Sequence, residues 1–145
     1  MHPFPHRYQV RVSAAPEGEV RLAGEGLPEL PSMPPPEFDG PGGYWSPEAL
    51  LVAAVADCFT LSFRSIAKAS RFEWRELTAE VHGQLERIDG ISRFTRFDTR
   101  ARLLVPAGAD LARARMLMEK AEKVCLISNS LSAARHLESE VLEAA

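Results

Sequence analysis

No run of lysine or arginine occurs anywhere in this chain of 145 residues, whose formal net charge is −3. Proteins that follow a phosphate backbone do so with clustered cations, so nucleic acid is not an expected partner. The opening stretch MHPFPHRYQV has no charged-then-apolar leader, and the expected location is cytoplasmic. Cysteine is scarce: the sequence has 2, Cys58 and Cys125. In a reducing compartment a pair so far apart in sequence is more often catalytic, redox-active or merely buried than a structural disulfide. The two never approach Cys-x-x-Cys spacing, which leaves a metal site from the cysteines with His82 or His136 as the weaker reading. No cofactor and no metal are expected. Internal repeats and low-complexity tracts are absent too, and at this length, with 46% hydrophobic residues, the chain reads as one domain, 1–145, with a proper core.

What is present is organised around Ser46 to Ser70, SPEALLVAAVADCFTLSFRSIAKAS. Ser46 is a favoured N-cap, Pro47 fits the first helical position, and Glu48 places a negative charge where the helix dipole favours it. Leu50, Leu51, Ala54, Val55, Cys58, Phe59, Ser62, Phe63 and Ile66 recur at three- and four-residue spacing, while Val52, Ala53 and Leu61 widen the stripe nearly all round. A helix this apolar must be buried. Small residues, Asp57 and Arg64 argue against a membrane span, so its partners are expected to be a sheet and another helix, or a second copy of itself.

Before it, Tyr8 to Gly24 alternates on either side of Pro16-Glu17-Gly18, which predicts a β-hairpin. Leu27 to Gly43 is dense in proline and glycine. Pro34, Pro35 and Pro36 force an extended path, with Phe38, Tyr44 and Trp45 as expected aromatic anchors; a plain surface loop is the equal alternative. After the helix, Asp89-Gly90 between two alternating runs predicts a hairpin of strands near Thr78 to Ile88 and Ser92 to Val105, the second bulged around Thr95 to Asp98. Asp110 is a plausible N-cap for a second helix with Leu111, Ala114, Met118, Ala121 and Cys125 on its inner stripe, Asn129 is a fair stop, and a last strand follows from His136. The order predicts an α+β domain with helices on one side of a mainly antiparallel sheet.

Cys58 and Cys125 each fall near the inner stripe of a helix and could meet across a helix–helix contact. Equally, both could be small buried hydrophobes.

SPEALLVAAVADCF resembles the signature of the OsmC/Ohr family, in which an Asn- or Ser-Pro-Glu helix start leads through an alanine-rich turn to an Ala-Cys-Phe, and EKVCLISNSL resembles its second-cysteine motif ending in Ser-Asn. The spacing between the cysteines and the preceding PPPEFDGPGG fit as well. The resemblance implies a small α+β fold that forms an intertwined homodimer, and a thiol-dependent peroxidase that acts on organic hydroperoxides and is reset by an external dithiol reductant. It makes Cys58 the attacking cysteine, Cys125 the resolving cysteine and Glu48 an active-site carboxylate. Glu48 and Cys58 are ten positions apart, roughly 15 Å along a helix axis, so a shared role implies that the carboxylate reaches the thiol of the other subunit. The family's peroxidases also place an arginine in an N-terminal loop or in the segment before the central helix. Here those turns read Ala14-Ala15-Pro16-Glu17-Gly18 and Pro36-Glu37-Phe38, without arginine, and a cation would have to come from Arg7, Arg11, Arg21 or Arg64. The alternative function is a catalytically weak or inactive dimer of the same fold that binds a small hydrophobic ligand.

Overall fold

The computed structural model describes residues 1–145, which pack as two compact units, Met1–Leu50 and Leu51–Ala145. The first holds a three-stranded antiparallel sheet in the order β1 (Arg11–Ser13), β2 (Val20–Ala23), β3 (Leu30–Ser32). β1 and β2 are the expected hairpin. β3 was not expected, since it lies in the proline-dense passage and contains Pro31. Proline is tolerated there because β3 is the last strand of the sheet and needs no amide on its outer side.

The remainder of that passage is an ordered crossing rather than a plain loop. Pro35 is extended at φ −71°, ψ 162° and leads into a 3₁₀ turn, Pro36–Phe38. The Met33 amide donates to the Trp45 carbonyl at 3.0 Å, and that of Gly40 to the Pro35 carbonyl at 3.0 Å. A Cβ on Gly40 would lie 1.7 Å from the Pro34 carbonyl oxygen, so only glycine fits. The aromatic residues are not the anchors expected of them. Phe38, Tyr44 and Trp45 are all largely exposed, and Tyr44 is instead tied by its hydroxyl, which donates to Glu19 at 2.8 Å. Backbone hydrogen bonds and a glycine-only crossing hold the segment.

Helix α1 (Pro47–Ala69) begins where the sequence predicts. The Ser46 hydroxyl accepts from the Ala49 amide at 3.1 Å, a cap that satisfies one of the first-turn donors. The helix is buried along one stripe, Val55, Phe59, Phe63 and Ala67, and not all round. Cys58 and Ser62 beside that stripe are half-exposed and Leu61 is 48% exposed. By length and composition alone α1 could cross a membrane, but its four-residue stripe belongs to the core of the second unit.

Strands β4 (Glu76–Ile88) and β5 (Ile91–Val105) form a long antiparallel hairpin. Asp89 and Gly90 turn it with φ of 51° and 79°, the doubly left-handed conformation for which Asp-Gly is suited. The register slips where Gln84 faces Arg96 and Leu85 faces Phe94, leaving Thr95 as the extra residue, a bulge at the expected place. Asp110 caps α2 (Leu111–Val124) by accepting from the Arg113 amide at 2.9 Å. Cys125 leaves helical geometry (ψ 104°), the one-turn helix α3 (Leu126–Asn129) follows, and β6 (Ala134–Glu143) closes the sheet in the order β4-β5-β6. β6 runs parallel to β5, because α2 and α3 return the chain to the end at which β5 entered, as a parallel pairing requires. Phe59 and Phe63 of α1, Leu103 and Val105 of β5, and Met118 of α2 are fully buried together in one core.

Candidate thiol site

Cys58 stands on α1 one position before buried Phe59, so the 100° step between neighbours turns it off the core stripe. It opens onto a groove of about 460 Å³, bounded by Ala54, Asp57, Leu61, Ser62 and Ser65 of α1 and by Leu126 and Ile127 of α3. Its exposed surface is mainly apolar, contributed by Ala54, Leu61, Leu126 and Ile127. One turn along, the Ser62 hydroxyl lies 4.0 Å from the Cys58 sulfur.

Cys125 has no exposed surface. It sits at the break between α2 and α3, and its thiol donates to the hydroxyl of buried Ser128 at 3.4 Å. Burial pushes the Cys125 thiol above its ordinary pKa; hydrogen bonding from Ser128 pulls it back, and the neighbouring Cys58 thiol pushes it further up. The structure therefore brings the two thiols together, and both are free.

The Cys125 segment is clamped from the sheet. Arg135, at the start of β6, donates to the Glu122 carboxylate at 2.8 Å, to the Glu122 carbonyl, and to the Asn129 side-chain oxygen at 2.7 Å. One guanidinium thus holds the residues on both sides of the helix break, using its rigid fork of donors.

Glu48 lies in the first turn of α1, half-exposed as a residue, but its Oε2 atom is buried without a hydrogen-bond partner. It is not among the residues that bound the Cys58 groove. No arginine, lysine or histidine bounds the groove either, and its one charged group is Asp57. Of the four candidate cations, Arg21 pairs with Glu29 at 2.9 Å, Arg7 and Arg11 line a separate cleft of the first unit, and Arg64 is exposed.

Sequence reasoning carries Ser62 only as a position of the α1 stripe and Ser128 only as the Ser of the Ser-Asn motif, with no role for either, and it misses Arg135. Ser62 stands four residues after Cys58 on the same helical face, a spacing that could have marked it; Ser128 stands three after Cys125, where the non-helical Cys125 starts α3. Arg135 carries no such signal, since its partners come from another element. His2 and His6 are four residues apart, but the His6 ring bonds to the His2 carbonyl at 2.9 Å. Nowhere do three histidine, cysteine or acidic side chains converge as a metal site would need.

A family model described as OsmC-like protein matches residues 40–140. The chain is 28% identical over 109 residues to YmaD of Bacillus subtilis, an uncharacterized protein, with 73% of each chain covered. Among solved structures, an OsmC-like protein of unknown function from Vibrio cholerae superposes with a TM-score of 0.85 at 18% identity, covering 94% of this chain and 100% of that one. An organic hydroperoxide resistance protein from Legionella pneumophila superposes with a TM-score of 0.75 at 23% identity, covering 96% and 98%. Another from Elizabethkingia anophelis does so with 0.75 at 21%, covering 97% and 100%.

Proposed function

Since this chain belongs to the OsmC-like protein family, we propose that it is a thiol-dependent peroxidase that reduces organic hydroperoxides, in defence against oxidative stress, through Cys58 and Cys125. The observation that carries this reading is the placement of the pair, with one thiol opening onto a mainly apolar groove and the second buried beside it. The Cys58 thiolate attacks the terminal peroxide oxygen: an S–O bond forms, the O–O bond breaks, and the alkoxide takes up a proton and leaves as the alcohol. Sulfur is oxidised to sulfenic acid as the peroxide is reduced. The Cys125 thiolate then attacks the Cys58 sulfur, the S–S bond forms, and hydroxide leaves and is protonated to water. An external dithiol of the reducing cytoplasm exchanges with the disulfide and restores both thiols. No metal or cofactor takes part.

Leu61, Leu126 and Ile127 suit an alkyl or aryl peroxide rather than hydrogen peroxide. The working form is a homodimer, which covers the exposed side of α1 and brings Glu48 of each subunit to the site of the other. The unpartnered Oε2 of Glu48 supports that role, since a buried carboxylate oxygen without a hydrogen bond is costly.

The test is consumption of cumene hydroperoxide by the dithiol-reduced protein. Wild type is expected to turn over and to yield an intramolecular Cys58–Cys125 disulfide with one equivalent of peroxide, while Cys58→Ser is inert. Two thiols that remain alkylatable after peroxide treatment would reject the proposal. The second reading, a catalytically silent dimer that binds a hydrophobic ligand, is favoured by one observation: no cation bounds the groove to stabilise the Cys58 thiolate.

A further inference from the structure

Ser128 is buried, and the sulfur it bonds to is buried more completely. A hydroxyl in such a place with no outlet but a thiol is not explained by packing, because alanine would fill the position without bringing a polar atom into the core. Its location is set by the chain break. Cys125 leaves the helix at ψ 104°, α3 restarts immediately, and the Asn129 amide donates to the Cys125 carbonyl at 2.9 Å. That turn brings residue 128 back over residue 125, while the Arg135 clamp fixes the segment from outside.

We infer that Ser128 is the positioning residue for the resolving step: its hydroxyl holds the Cys125 sulfur toward Cys58 and, as the thiol ionises, rotates from acceptor to donor and stabilises the thiolate. The inference rests on the peroxidase reading and assigns a task within it. A hydroxyl can make this exchange in place, because its one proton and its lone pairs share an oxygen that turns about a single bond. The need is evident from the surroundings. Burial opposes ionisation of Cys125, and the titratable group that faces it is the other thiol, Cys58 of α1, which opposes it too. The nearest acid in sequence, Glu122, is paired with Arg135, and Lys123 is exposed. Ser128 is thus the one residue whose hydrogen bonds favour the form of Cys125 that attacks sulfenic acid, through its hydroxyl and also through its backbone amide, which Ser128→Ala leaves in place. The balance of the step is unchanged by it, with the S–S bond formed, the S–O bond broken and hydroxide released as water. Ser128 lowers the cost of the thiolate and gives up no proton.

Two measurements test this. In a Cys58→Ser background the ionisation of Cys125, followed by the ultraviolet absorbance of the thiolate, is expected to move to higher pH on Ser128→Ala and to return with Ser128→Thr, which keeps the hydroxyl. In the two-cysteine protein, Ser128→Ala is expected to form the disulfide about tenfold more slowly near neutrality after one equivalent of cumene hydroperoxide, the loss of one hydrogen bond of about 1.4 kcal/mol. More Cys58 then reaches sulfinic acid, and the deficit closes as pH rises. An unshifted titration in Ser128→Ala, or a deficit equal at every pH, overturns the assignment and leaves Ser128 as a packing residue. Should wild type form no disulfide, the peroxidase reading falls, and the titration still decides whether Ser128 governs Cys125.

Discussion

At the scale of single residues, the proposed chemistry would rest on the contrast between Cys58 on α1 and Cys125 at the break between α2 and α3. Which of the two is accessible could not be read from the sequence. Periodicity placed both near inner stripes, but Cys58 is turned half outward by its one-residue offset from Phe59, whereas Cys125 is sealed at a helix break that periodicity does not register. The sealing has a pH signature. Because burial raises the Cys125 pKa in the folded state, its stabilising contribution is complete below the unfolded thiol value of about 8.5 and is lost as pH rises through the higher folded value. The thermal midpoint of the reduced protein is therefore expected to fall through the alkaline range, and to fall less in Cys125→Ser. Parallel pH profiles for the two would show that the buried thiol carries none of this dependence.

At the scale of elements, what was legible followed local chemistry: the Ser46 and Asp110 caps, the Asp-Gly turn and the bulge at Thr95 stand where side-chain type demands them. What was not legible needed partners distant in sequence. β3 depends on pairing with β2, and the parallel direction of β6 depends on the route of α2 and α3. The candidate site follows the same division, since the cysteines were found from local motifs while Arg135, which reaches Glu122 and Asn129 on either side of Cys125 from β6, was not. Two substitutions probe these elements. Ser46→Ala is expected to lower stability by about 1 kcal/mol through the lost cap, read from chemical denaturation. Gly83→Ala is expected to cost about 1 to 3 kcal/mol, because the added methyl would lie 2.8 Å from Val52 and 2.9 Å from Phe94. A neutral outcome at Gly83 would mean that the α1 and β5 side chains yield more readily than their packing suggests.

At the scale of the whole molecule, the proposed homodimer would cover the exposed side of α1 and give the unpartnered Glu48 oxygen a neighbour. Mixing inactive Glu48→Gln and Cys58→Ser homodimers after reversible unfolding is expected to restore part of the wild-type peroxidase rate, because each heterodimer holds one site with both native groups. Persistent inactivity despite confirmed subunit exchange, or a monomeric mass in sedimentation, would reject the shared site. The direction of β6 also bears on how the protein is made. Arg102 and Glu140, joined at 3.0 Å, are 38 residues apart, and between them lies the whole segment that carries Cys125 and its serine. On the ribosome, α1 and the β4-β5 hairpin emerge first and can pair locally, but one edge of β5 stays open until synthesis has passed residue 143. Arg135 reaches Glu122 only when β6 docks. Until the last strand docks, the nascent chain therefore lacks the Arg135 clamp on Glu122 and Asn129, the residues on either side of Cys125, and the open edge of β5 is then free to mispair with other chains.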